Sequence, residues 1–177
     1  MRIVVYGGSF NPFCKNHLDV VSWATTQGDE VWVIPSYAHP EKSLMIDFEH
    51  RLVMARLAVG SELWPVPVWV SDIERTLFQE GMSKIFTYHL LRRLAAMHPE
   101  NTFVFAIGPD IDPSKWELGP EAMAEFEFIR VPDMGTHATQ VREWIRTGDS
   151  QWRNFVPTQV QRYITWKSLY GDFSHEI

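Results

Sequence analysis

The chain has 177 residues, 45% of them hydrophobic, a formal net charge of −6 and a single cysteine. That length fits one domain over residues 1–177 with a sizeable core. The acidic balance gives no global attraction for nucleic acid or an acidic membrane, one cysteine excludes a disulfide framework or a multi-cysteine zinc site, and no apolar run is long enough to span a membrane.

In chain order, Ile3, Val4 and Val5 form a β-branched apolar run that reads as a buried strand. Gly7 and Gly8 then end the run, and their lack of Cβ lets the main chain turn and an anion approach it. Pro12 stiffens the loop, and Asn16 stands as a helix cap ahead of a first helix from about His17 to Thr26. Strand, glycine turn and helix N-terminus in that order offer free N–H groups and the positive end of a helix dipole to negative charge. His17 would add a donor at the mouth of that cradle. A strand starting almost at Met1, with no charged-then-apolar leader, gives the expectation of a cytoplasmic protein.

Glu30 to Ile34 reads as the second strand and Pro35 to Lys42 as a proline-marked loop. Asp47 precedes a helix with Phe48, Leu52, Met54, Ala55 and Leu57 at helical spacing. Val66 to Val70 is the third strand, and Asp72 and Glu74 at its end read as solvated rather than as an acid–base pair. Ser83 is the expected cap of a helix over Lys84 to Met97. Thr102 to Ile107 is the fourth strand, closed by Gly108, Pro109 and Asp110. A helical stretch follows from Pro113 to Phe126, then a fifth strand over Glu127 to Val131 and helices over Thr136 to Arg146 and Pro157 to Leu169.

Strands alternating with helices predict an α/β fold, a Rossmann-like open parallel sheet of about five strands with helices on both faces. Ligands of such sheets bind beyond the carboxyl ends of the strands, where strand order reverses. The loops at Gly7-Gly8, Pro35 to Lys42, Ser71 to Glu74 and Gly108 to Asp110 all fall at that edge. His39, His50, His89, His98, His137 and His175 show no ligand spacing. Cys14 and His17, three apart, leave open a thiol nucleophile beside a base.

The run from Gly7 to Pro12 followed by Cys14, Lys15, Asn16 and His17 resembles the nucleotidyltransferase superfamily. Its signature is a glycine-glycine turn, Phe, Asp or Asn, Pro, and then His or Thr, any residue, usually Gly, and His. Cys14 and Asn16 depart from that signature. Thr136 to Arg142 resembles the superfamily's second signature through Thr139 and Arg142, with Ala138 where a hydroxyl is usual. The loop and helix from Pro35 to Ala58, the stretch Ile107 to Trp116 and the closing segment Phe155 to Tyr170 are similar to nicotinate mononucleotide adenylyltransferases. Only Val131 to Gly135 separates Arg130 from Thr136, where that family carries a longer connection.

This resemblance implies adenylyl transfer from ATP to nicotinate or nicotinamide mononucleotide by direct in-line attack, a step in NAD biosynthesis. It implies that the amides of Gly7, Gly8, Ser9 and Phe10, with His17, meet the α- and β-phosphates. Arg142 and Thr139 would hold the β- and γ-phosphates, and Lys42 would add a cation. Gly108 and Asp110 would face the ATP ribose or a metal-bound water, and Trp116 and Thr87 the pyridine nucleotide. Mg²⁺ would come with ATP, with no dedicated metal cage. A sibling transferase with another phosphorylated acceptor and a nucleotide-binding regulatory protein that lost the chemistry are the alternatives. A homo-oligomer is left open.

Overall fold

The computed structural model describes residues 1–37, 45–135 and 138–171. Its centre is a five-stranded, all-parallel sheet in the order β3-β2-β1-β4-β5. The strands are β1 (Arg2–Gly8), β2 (Glu30–Pro35), β3 (Val68–Val70), β4 (Thr102–Ile107) and β5 (Glu127–Arg130). The helices are α1 (Lys15–Ala24), α2 (Phe48–Val59), α3 (Ile73–Gln79), α4 (Thr87–Met97), α5 (Gly119–Glu125), α6 (Ala138–Arg146) and α7 (Thr158–Trp166). Short 3₁₀ turns over Pro113–Lys115 and Ser150–Phe155 complete the described elements. None of the helices is long and apolar enough to cross a membrane.

Successive side chains of β1 supply both faces, as the strand period demands. Val4 joins Val31, Val33 and Ala106 in a core covered by Val20, Val21 and Ala24 of α1, Met54, Ala55 and Ala58 of α2, and Val141, Val160 and Ile164 of α6 and α7. Ile3 and Val5 face the other way, toward Ile73 and Leu77 of α3, Leu90, Leu91 and Leu94 of α4, and Phe103, Phe105 and Ile107 of β4. Burial on both faces explains why the central strands are unbroken apolar runs rather than alternating ones.

Several expectations are corrected. β1 does not stop at the glycines; it continues through Gly8, which pairs with Pro35 of β2. β3 is only three residues long, because Pro65 and Pro67 precede it and neither can donate to a ladder. A helix, α3, follows it where a loop was expected. Ser83 is exposed and caps nothing; α4 begins at Thr87, with Phe86 in the capping position. Asn16 lies inside α1, and Cys14 holds its N-cap position.

The segment between β4 and β5 turns on Gly119, where a Cβ would overlap the Pro113 carbonyl oxygen and crowd the Cβ of Trp116. Gly119→Ala must push the 3₁₀ turn and Trp116 away from α5. We expect it to lower unfolding free energy by roughly 1–3 kcal/mol in urea melts.

Candidate functional site

The β1–β4 ladder runs only from Arg2 opposite Thr102 to Val5 opposite Phe105, although β1 continues to Gly8 and β4 to Ile107. Pairing ends beyond that register, and β1 and β4 are the neighbours between which strand order reverses, the place where sheets of this kind bind ligands. A Cβ at Gly7 would stand 3.0 Å from the Phe105 ring, and one at Gly8 3.0 Å from the Phe10 ring. A side chain at either position would make the neighbouring ring give by a few tenths of an ångström. The left-handed backbone conformation falls on Phe10 instead, at φ 46°.

Phe10 can hold that conformation because its neighbours over-determine it. Its buried ring packs 4.9 Å from Phe13 and 5.3 Å from Tyr6. Three distant side chains grip the loop from outside. Arg51 of α2 donates to the Ser9 carbonyl at 2.8 Å, and Arg142 of α6 donates to the Asn11 carbonyl at 2.6 Å. The Tyr170 hydroxyl donates to Asn11 Oδ1 at 2.8 Å.

His17, in the first turn of α1, is wedged among rings, 5.2 Å from Phe10, 5.1 Å from Phe13 and 6.5 Å from Tyr6. Its Nδ1 accepts the Cys14 backbone N–H at 2.8 Å, so the ring proton resides on Nε2. Cys14 meets the His17 ring through its backbone N–H. The thiol is fully buried, directs its Sγ to the Pro12 carbonyl at 3.5 Å, and is pushed up to about 12 by that burial. Burial and a neutral partner oxygen therefore favour the thiol over the thiolate at Cys14.

The remaining expected site residues lie around the same edge or outside the described residues. Arg142 also donates to the Thr139 hydroxyl at 3.1 Å, so these two form one unit at the start of α6. Gly108 ends β4, and Asp110 is exposed just beyond it; Arg130 pins the flanking Pro109 and Ile111 carbonyls at 3.0 and 2.8 Å. Asp112, not Asp110, caps the following turn, accepting from the Ser114 N–H. Trp116 is half-buried, edge-on to Phe105 and Phe128 at 6.3 Å each. Thr87 opens α4. Lys42, Thr136 and His137 fall outside the described residues.

Sequence reasoning missed four contributors. Arg51 is 1% exposed, although it is charged. It occupies a helical position between buried Phe48, Leu52 and Ala55, and a charge on an apolar stripe was the available signal. Glu74 is buried rather than solvated: its Oε2 accepts the Tyr37 N–H at 2.8 Å. Burial raises its carboxyl to about 7, against the opposing pull of the Tyr37 N–H and the Arg51 charge. Asn16 is buried and donates to the Gly135 carbonyl at 2.9 Å, tying the short connection before α6 to α1. Tyr170 left no local signal of its long-range bond.

Residues 5–164 match the model of the cytidylyltransferase-like family. The chain belongs to that family. Among its relatives, a probable nicotinate-nucleotide adenylyltransferase of Anaeromyxobacter sp. (strain K) is 34% identical over 185 residues, covering 96% of each chain. One of Geobacillus kaustophilus is 30% identical over 194 residues, covering 96% of this chain and 86% of the relative. The fold of this cytidylyltransferase-like chain is shared with Plasmodium falciparum nicotinic acid mononucleotide adenylyltransferase, solved in complex with NaAD. That structure has a TM-score of 0.77 at 21% identity and covers 96% of this chain and 97% of its own.

Two outcomes follow from the buried groups. Native protein should not react with a thiol reagent at Cys14, and denaturation should release one equivalent of thiol, read by absorbance. Glu74 has a folded carboxyl at about 7 against an ordinary 4.5, so the folded state binds the extra proton between those values. Its contribution should therefore reduce stability as pH rises from about 4.5 to about 7, and Glu74→Gln should remove that part of the slope in urea melts.

Proposed function

We propose that this chain, as one nucleotidyltransferase domain over residues 1–177, transfers the adenylyl group of ATP to nicotinate or nicotinamide mononucleotide in the cytoplasm, giving the dinucleotide and pyrophosphate. One contact carries this reading: the bond from Arg142 to the Asn11 carbonyl. It brings the second signature segment against the first across 131 residues of sequence, at the open carboxyl edge of the sheet.

The mononucleotide phosphate is already ionised, so its attack on the α-phosphorus of ATP needs neither an enzyme nucleophile nor a strong base. What the protein must supply is orientation of two anions and donors for the charge of the transition state. In this reading the amides of Gly7, Gly8, Ser9 and Phe10 line the floor for the α-phosphate. His17 presents Nε2–H to the α- and β-phosphates, its orientation fixed by the Cys14 N–H and by the rings of Phe10 and Phe13. Arg142, braced on Asn11 and Thr139, serves the β- and γ-phosphates at the N-terminal turn of α6. Lys42 adds a cation. Gly108 and Asp110 flank the ATP ribose, and Trp116 and Thr87 flank the pyridine ring.

Adenylyl transfer from ATP generally employs a divalent cation, here Mg²⁺. Among the described residues no group of three His, Cys, Asp or Glu could cage a metal. Exposed Asp110 at the strand edge fits a cation carried mainly by phosphate oxygens and water. Such a cation would neutralise charge on the triphosphate.

Dinucleotide formation from ATP, measured with each mononucleotide in parallel, tests the function directly; absence of product with both would refute it. His17→Ala should lower turnover by roughly 10²-fold, the scale of one lost transition-state donor. Arg142→Ala should raise the ATP requirement more than the mononucleotide requirement, read from the two KM values.

A further inference from the structure

Arg51 is 1% exposed and stands in the first turn of α2. Among the described residues no carboxylate forms an ion pair with it. Its guanidinium is satisfied by backbone carbonyls: Ile46 at 3.1 Å from Nε, Ser9 at 2.8 Å from Nη1 and Tyr37 at 3.4 Å from Nη2. The Phe48 ring lies 5.6 Å beneath it. A cation stripped of water and held by neutral oxygens is a poor fold stabiliser, because burial costs the charge its hydration. That burial pulls the Arg51 guanidinium down from its ordinary range, with Tyr170 and Glu74 acting the other way.

The Ser9 carbonyl shares a planar peptide with the Phe10 N–H, and the two point in opposite directions in a trans unit. The cis bond of this loop is Asn11–Pro12, not Ser9–Phe10. Drawing the Ser9 oxygen toward α2 therefore turns the Phe10 N–H away from α2, and Phe10 is the residue held at φ 46°. The same guanidinium meets the Tyr37 carbonyl, whose residue donates its own N–H to Glu74. Arg51 thus joins the glycine loop to the segment after β2, with the buried Glu74 carboxylate as a nearby counter-charge.

We propose that Arg51 is a positioning residue for the phosphate cradle: it holds the Ser9 carbonyl back so that the Phe10 N–H faces the ligand phosphates, and it sets a permanent positive charge behind them. This rests on the adenylyl-transfer reading above. Arg51 acts through the Ser9–Phe10 peptide, and its charge contributes to catalysis as well as its shape.

Arg51→Lys and Arg51→Gln separate charge from packing. Dinucleotide formation and thermal midpoint are measured for both. Lys keeps the charge and should lose at most about 10-fold in kcat, whereas neutral Gln should lose about 10²-fold, with thermal midpoints that do not follow the same order. Gln activity equal to that of Lys, or activities that simply track the midpoints, would overturn the proposal. If Arg51→Gln does not fold, Glu74→Gln decides. At pH 8.5, where the wild-type carboxylate is ionised, its neutralisation leaves the Arg51 charge uncompensated. Pyrophosphate, titrated calorimetrically, should then bind about 3-fold more tightly; unchanged or weaker binding sinks the idea. A wild-type chain that binds pyrophosphate but makes no dinucleotide counts against the proposed reaction, and the Glu74→Gln titration still reads the role of Arg51.

Discussion

Two arginines pull the carbonyl oxygens of the first loop outward, Arg51 at Ser9 and Arg142 at Asn11. At Ser9 the trans peptide turns the Phe10 N–H to the opposite side, whereas the Asn11 peptide runs into Pro12, which has no N–H, so Arg142 there only holds the loop in place. The rest of the molecule serves that arrangement. The sheet fixes the start of the loop, the aromatic group of Tyr6, Phe10, Phe13 and His17 fills its underside, and α2 and α6 deliver the two guanidinium groups. An acidic chain can thereby hold a local anion site, because the field at one loop depends on nearby fixed charges and dipoles rather than on the net total.

Separation of β1 from β4 beyond Val5 and Phe105 gives that loop somewhere to look. Continued pairing with β4 would have closed the second edge of a glycine segment that β2 already pairs on the first. The Phe105 ring fills space beside Gly7, and Trp116 and Phe128 pack edge-on to Phe105. Phe105 is a core ring, and Trp116 and Phe128 are half-buried against the same cluster.

Much of the sheet was legible because strands buried on both faces must be apolar throughout, and Thr102–Ile107 shows its bounds in composition alone. α3 was not legible. It is seven residues long and carries Glu74, a residue type that normally marks solvent. The start of α4 was misplaced because Ser83 has the chemistry of a cap, but the chain turns into the helix only at Phe86. At the site, local motifs pointed to the glycine loop and to Arg142. They could not reveal Arg51 or Tyr170, whose partners are backbone or amide oxygens dozens of residues away. Long-range bonds to main-chain atoms leave no pattern in side-chain identity, apart from an arginine placed on an apolar helical stripe.

The bond between Tyr170 and Asn11 spans 159 positions and has a bearing on biosynthesis. A nascent polypeptide can pair β1 with β2 while still on the ribosome, yet Asn11 waits for a guanidinium from residue 142 and a phenol from residue 170. The bracing of this loop is therefore completed late, once residues 142 and 170 have emerged. A product broken off after β5 would keep the five strands but lack both late holders, together with the α6 and α7 side chains that cover one face of the sheet.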